Sequence, residues 1–197
     1  TETHHRVKNN LQLMAAMVNL MAMEERPVDS REELNHLSTH IRGLAVIHDL
    51  LTEDVKARKD GTHLSVKAVL GKLLPLMQQT YADRPIHFQV HDIPLPARHC
   101  TSLAVITNEL VSNALKYSTQ EVLVAFTVDD GTACLRVEDK GKGFPENFDP
   151  VRDGNTGLNL VTNLSEHDLS GQVLFDNHEQ GGARIRLSFP VTAAPSG

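Results

Sequence analysis

The stretch ACLRVEDKGKGFP, residues 133–145, sets the reading of the chain. Its first half, ACLRVED, has the alternation of a strand. EDKGKGFP at 138–145 follows that strand directly. Two glycines one residue apart let the backbone take positive φ and come close to a flat ligand, and Asp139 can accept a hydrogen bond from an exocyclic amine. Alone, D-x-G-x-G is as often a turn as a nucleotide site, so the flanking segments decide.

Upstream, VLVAFTVDD is a second strand, joined to the first by the Asp130-Gly131 turn, a strong hairpin signal. Before it, a helix runs from LPARHC to about Tyr117 and carries NELVSNALKY at 108–117. Glu109 and Asn113 are spaced i, i+4 on one face, with Lys116 one turn further. An acid beside an amide oxygen suits a hard cation such as Mg²⁺, held partly through waters, and a nearby Lys suits the phosphates that share the cation. The plainer reading is an amphipathic helix with Leu103, Ile106, Leu110 and Ala114 facing the core and a wet polar side.

Downstream, KGKGFPENFDPVRDGNTG is loop. GNTGLNLV at 154–161 places glycines ahead of a helix N-terminus, where free N–H groups receive phosphate or a cap. That helix, GLNLVTNLSEHDL, has Gly171 just past its end, and QVLFDN and ARIRLSF close the domain as a strand pair around Gly181-Gly182. Further upstream HLSV at 63–66 reads as a short strand, KAVLGKLLPLMQQTYA at 67–82 as a helix despite Pro75, and IHFQVHD at 86–92 as a strand.

The N-terminal segment follows another rhythm. Val7, Leu11, Met14, Val18 and Met21 recur in steps of four and three, and Leu34, Leu37, Ile41, Leu44, Leu51 and Val55 resume it after ERPVDS. Two helices joined by a short turn make an antiparallel hairpin. Leu13, Ala16, Leu20 and Met23 cover a second face, which a self-associated hairpin would bury as a four-helix bundle and which packing against the rest of the chain would serve instead. In HHRVKNN at 4–10, His5 lies about 160° round the helix from the apolar seam and His4 only about 60°. His5 therefore points out and shares a polar face with Glu2 and Asn9. A neutral imidazole is a usable nucleophile there, with a carboxylate to orient it or accept its proton, although a lone His is more often merely solvated.

Composition bounds the rest. The 197 residues are 40% hydrophobic and 22% charged, with 4% aromatics and no Trp, a soluble globular balance with an aliphatic core. A net charge of -6 gives no global positive field to draw in nucleic acid or anionic lipid. Cys100 and Cys134 fit neither a disulfide framework nor a zinc site, and no apolar run approaches the roughly 20 residues that span a bilayer, so a cytoplasmic setting is expected. TETHHRVKNN lacks an initiator Met and reads as the start of a fragment of a longer protein. KARKDGT at 56–62 is a polar linker. The expected fold class is α+β, with the helical hairpin at 1–58, an α/β two-layer sandwich at 59–191 and a loose tail at 192–197.

In combination these segments resemble a known architecture. The acid-and-amide helix, strand-terminal D-x-G-x-G, long polar loop, Gly-Leu helix start and closing strand pair resemble the ATP-binding domain shared by histidine kinases, gyrase, Hsp90 and MutL. The hairpin, opening on HHRVKNNLQ and returning through IRGLAVIHDLL, resembles the dimerisation and phosphoacceptor domain of histidine kinases whose H-box reads H-R-x-x-N. The resemblance implies that His5 is the phosphoacceptor, with Asn9 beside it and Glu2 as a candidate base, since Arg6 stands where the larger kinase subfamily has an acid. It implies that Glu109 is the N-box acid, Asn113 the Mg²⁺ ligand with Glu109 reaching the ion through water, and Asn108 and Lys116 neighbours of the phosphates. Asp139 becomes the adenine-reading carboxylate, Gly141 and Gly143 its glycines, Phe144 to Thr156 the ATP lid, and Thr156, Gly157 and Leu158 the remaining nucleotide contacts. The chain departs from the pattern at Asn155 and Asn159, where relatives carry further glycines, and at Ala183, where they often carry Thr.

The implied function is an ATP- and Mg²⁺-dependent histidine autokinase that passes phosphate from His5 to an Asp of a response regulator receiver domain. A homodimer through the hairpin is implied, with a monomer as the alternative state. The rival readings are a phosphotransfer scaffold that has lost ATP binding, and an ATP-driven clamp or serine kinase on the same nucleotide fold.

Overall fold

The computed structural model of the chain describes residues 63–81, 83–150, 152–154, 156–179 and 181–191, with Gly43 and Ala45. Most of the expected hairpin, including Glu2, His5 and Asn9, lies outside the described residues, as does the tail at 192–197. Gly43 and Ala45 are both helical, Gly43 buried and Ala45 exposed.

Strand β1 (His63–Ser65) leads into helix α1 (Val66–Thr80), followed by β2 (Ile86–Val90) and β3 (Pro94–Pro96). Ser65 caps α1: its Oγ accepts the Ala68 N–H at 3.0 Å and donates to Asp92 Oδ1 at 2.6 Å. Pro75 sits inside α1 on its exposed side, while Leu70, Leu73, Leu74 and Met77 are fully buried on the other. The helix survives the proline because burial of that apolar stripe outweighs one missing backbone bond.

Helix α2 (Ala97–Tyr117) begins directly after β3, a strand absent from the sequence reading. β3 pairs antiparallel with β1, Leu64 opposite Leu95, as a two-stranded sheet. Its two prolines mask it as a loop in the sequence, and Leu95 buries it between them.

The main sheet has the order β2-β4-β5-β7-β6, with β4 (Val122–Asp129), β5 (Thr132–Asp139), β6 (Gln172–Asn177) and β7 (Ala183–Pro190). β2 runs parallel to β4 across the α2 crossover; the other pairs are antiparallel. The turn between β4 and β5 falls at Asp130 (φ 43) and Gly131 (φ 70), as a two-residue hairpin with both central residues left-handed requires.

Strict alternation sorts the sheet faces. Val122, Val124 and Phe126 of β4, Ala133, Leu135 and Val137 of β5, and Ile185, Leu187 and Phe189 of β7 turn toward the helices and form the core. The other face carries Arg136, Glu138, Asp176, Arg184 and Arg186, interleaved as ion pairs, which is why one helical layer suffices. Asp139 is the next inward position after Val137, so the register that builds the core also drives this carboxylate under the helical layer.

Helix α3 (Thr156–Asn163) continues into a π-helical turn (Leu164–Asp168), with Leu169 N–H bonded to the Leu164 carbonyl at 3.2 Å. The left-handed residue that ends it is Ser170 (φ 52), not Gly171, which instead passes against the Ser188 carbonyl where a Cβ would stand 2.6 Å away.

Candidate functional site

Helix α2 supplies the first wall. Thr107 and Asn108 are fully buried, as is Ser112, while Glu109 is 4% and Asn113 7% exposed. The wet-face reading therefore fails over this stretch. Beyond it the helix opens to solvent, where Lys116 and Tyr117 are exposed and the Lys116 ammonium lies 5.4 Å from the Tyr117 ring centroid. An acid, an amide and a cation thus follow one another along the helix from buried to exposed.

The C-terminal end of α2 is held by Arg84, whose Nη1 donates to the Leu115 carbonyl and, at 3.3 Å, to the Ser118 carbonyl. A guanidinium suits the negative end of a helix. Nothing in the sequence marks Arg84 as this cap, because two strands, β2 and β3, separate it from α2.

Asp139 forms the second wall. Its Oδ1 accepts the Gly141 N–H at 2.6 Å and the Ala183 N–H at 3.4 Å, and the carboxylate is 8% exposed. Oδ2 carries no such bond, so the group is anchored by one oxygen and presents the other. Gly141 joins the two walls: a Cβ there would stand 3.0 Å from the Tyr117 carbonyl and 2.9 Å from Asp139 Oδ1. Gly141 provides close approach; the left-handed backbone expected of the pair belongs to Gly143 (φ 76).

The loop after Gly143 is anchored by a residue the sequence reading missed. Asn177, at the end of β6, accepts the Phe144 N–H on Oδ1 at 2.7 Å and donates from Nδ2 to the Phe144 carbonyl at 2.9 Å. Phe144 stacks on Phe148 with centroids 4.5 Å apart, and both meet Phe175 edge-on at 5.8 and 6.1 Å. Further along, Asp153 accepts from Arg152 and from the Asp149 N–H, and the Arg152 bond holds its carboxyl down to about 2.

The remaining expected positions separate. Thr156 opens α3, Gly157 is half-buried, and Leu158 is 7% exposed within the apolar core. Asn108 is sealed from solvent and presents no surface to a site. α2, which carries Glu109 and Asn113, packs against both α3 and β5, the strand that ends at Asp139.

A separate cleft of about 700 Å³ lies at the end of the sheet, with Glu121, Leu123, Glu138, Lys140, His178 and Arg184 among its lining. Asp139 touches it, but no residue of α2 or α3 does. Its charges already answer one another, Lys140 to Glu121, Glu138 to Arg136 and Arg184 to Asp176, so the helix-side region is the better candidate.

The residues present fit a purine nucleotide with its cation. The free Asp139 oxygen is an acceptor for an exocyclic amine, and Gly141 is a cradle that a Cβ would fill. The donor set of Glu109 and Asn113 is all oxygen, as a hard cation prefers. Among the described residues no three His, Cys, Asp or Glu side chains converge on one point, so these two would share the ion with phosphates and water.

Residues 2–81 match the family model described as histidine kinase, and residues 100–193 match that of the histidine kinase-, DNA gyrase B-, and HSP90-like ATPase. The sensor histidine kinase PdtaS of Mycobacterium tuberculosis is 28% identical over 204 residues, covering 96% of this chain and 39% of that protein. The blue-light-activated histidine kinase 2 of Erythrobacter litoralis is 23% identical over 171 residues, 83% of this chain and 49% of that one. This chain thus spans less than half the length of these curated relatives. Among solved structures, a blue-light activated histidine kinase of Erythrobacter litoralis superposes with a TM-score of 0.69 at 22% identity, covering 96% of this chain and 61% of that one. The ATP binding domain of PrrB from Mycobacterium tuberculosis does so at 0.57 and 20%, covering 67% and 99%. Both likenesses speak for the fold. With the two halves of this architecture matched in order along one chain, the protein belongs to the histidine kinases, its C-terminal half being a histidine kinase-, gyrase- and HSP90-like ATPase domain.

Proposed function

We propose that this chain is the catalytic core of a two-component histidine autokinase. The observation that carries this reading is the arrangement at Asp139: one oxygen fixed by two backbone N–H groups, the other free, beside a glycine with no room for a Cβ and below a helix of buried polar residues. That arrangement suits an adenine, held by its amine, with its phosphates running along α2 toward Lys116.

Glu109 and Asn113 would hold Mg²⁺, which when bound neutralises charge on the phosphates and orients them. Lys116 adds a cation on the exposed side, and Gly157 offers its N–H at the start of α3. The neutral imidazole of His5 attacks the γ-phosphorus in line. An N–P bond forms, the bond to the β–γ bridging oxygen breaks, and ADP leaves; Glu2 is the candidate acceptor for the imidazole proton, with Asn9 orienting the ring. The phosphoryl group then passes to an Asp of a response regulator receiver domain, docked on the hairpin near His5. The hairpin serves as the homodimer interface, and the cytoplasm is the compartment that holds both ATP and the regulator. No helix among the described residues is long and apolar enough to cross a membrane.

The test is incubation of the chain with ATP and Mg²⁺, followed by assay for acid-labile, alkali-stable phosphate. Labelling of the wild type but not of His5→Ala is expected. Tight ATP binding without labelling, or equal labelling of His5→Ala, would sink the reading.

A further inference from the structure

Asn108 is fully buried on α2, and neither its Oδ1 nor its Nδ2 has a hydrogen-bond partner. A buried amide without partners is costly and rare, and asks for an explanation. The group directly before it is Gly43. A Cβ on Gly43 would fall inside the contact surface of Asn108 Oδ1, 3.0 Å from Asn108 Cγ and 3.4 Å from Leu73 Cδ1 of α1. Leu73 is itself fully buried, so neither neighbour has open space to retreat into. Gly43 is helical and buried, within the IRGLAVIHDLL segment that returns toward the linker.

We propose that Gly43, Asn108 and Leu73 form the seat on which the phosphoacceptor hairpin docks against the ATPase domain, and that Asn108 is a positioning residue there and not a phosphate contact. Two features support this. The approach is so close that only glycine fits, which fixes where Gly43 meets Leu73 of α1 and Asn108 of α2. The orphan amide makes the docked state less favourable than an apolar residue would, so a seat that opens recovers the amide's hydration and can release readily. Helix α2 presents Asn108 to Gly43, and the adjacent Glu109, about 100° further round, lies with Asn113 toward the proposed nucleotide. The same helix therefore spans nucleotide and hairpin, and the seat sets the distance between them. The inference rests on the kinase reading for its functional consequence, but not for its geometry.

A size swap in the full chain tests it. Gly43→Ala should slow His5 labelling at saturating ATP about ten-fold and lower the melting temperature, while affinity for a fluorescent ATP analogue stays within about two-fold. Asn108→Ala alone should also leave that affinity within about two-fold, and Gly43→Ala with Asn108→Ala should recover most of the lost rate and melting temperature. A ten-fold or larger loss of analogue affinity in Asn108→Ala would return Asn108 to the nucleotide site and overturn the proposal. So would losses in melting temperature that simply add in the double variant. Should the wild type not label at all, melting-temperature coupling would still uphold the seat while the kinase reading fails.

Discussion

Asn177 and Phe144, 33 residues apart, are joined by a paired hydrogen bond in which the Asn177 amide takes both the N–H and the carbonyl of Phe144. The amide acts as one more residue of strand and closes the root of the loop onto β6. Everything expected of the lid hangs from this point, since Gly143 immediately before it is held left-handed against the same side chain.

Asn177→Ala should therefore lower stability by about 1 kcal/mol, the net worth of two solvent-exposed hydrogen bonds, and weaken ATP several-fold by freeing the loop root. Chemical denaturation and a nucleotide titration read the two effects. Asn177→Asp keeps the acceptor and loses the donor, and should fall between wild type and Asn177→Ala.

Asp139→Asn preserves size and keeps an acceptor for the Gly141 N–H, but removes the charge. If Asp139 reads an adenine amine, ATP affinity measured by calorimetry should fall more than about ten-fold, the scale of one charge-assisted bond, with a small change in melting temperature. An unchanged affinity would remove Asp139 from the site.

Arg84→Ala strips the cap from α2 and leaves the Leu115 and Ser118 carbonyls with one donor fewer. A loss of about 1 kcal/mol in urea unfolding is expected. Arg84→Lys, which cannot fork between two carbonyls, should recover only part of it.

Asp168 ties the π-helical turn to α2 through Ser102 at 2.6 Å and Arg98. Burial pushes its carboxyl up, but the Ser102 and Arg98 hydrogen bonds and the guanidinium charge outweigh that and hold it below its ordinary value. A folded value below the unfolded one, about 3.9, means stability that is present above that pH and is lost as pH falls through the folded value. Asp168→Asn should lower the urea midpoint at about pH 6, and the gap to wild type should narrow steadily as pH falls below the unfolded value of about 3.9. A gap that persists in acid would rule the linkage out.

Much of this protein was legible in one dimension. Alternation in ACLRVED and ARIRLSF placed the strands, Asp130-Gly131 placed their turn, and the apolar stripe of α1 carried a helix through Pro75, because all of these depend on periods of two or 3.6 residues that a neighbouring stretch of chain completes. The same alternation put Asp139 at the end of a strand, and motif order along the chain pointed to its family. Tertiary structure alone decided the rest. β3, hidden by its prolines, exists because β1 pairs with it. The polar face of α2 is buried and not wet because other elements close over it, which no wheel diagram contains. Asn177, Arg84 and Gly43 act on partners 33, 31 and 65 residues away, Phe144, Leu115 and Asn108 respectively. Such pairings are set by how strands and helices are stacked, and a side chain that bonds a distant backbone leaves no period in its own neighbourhood to read.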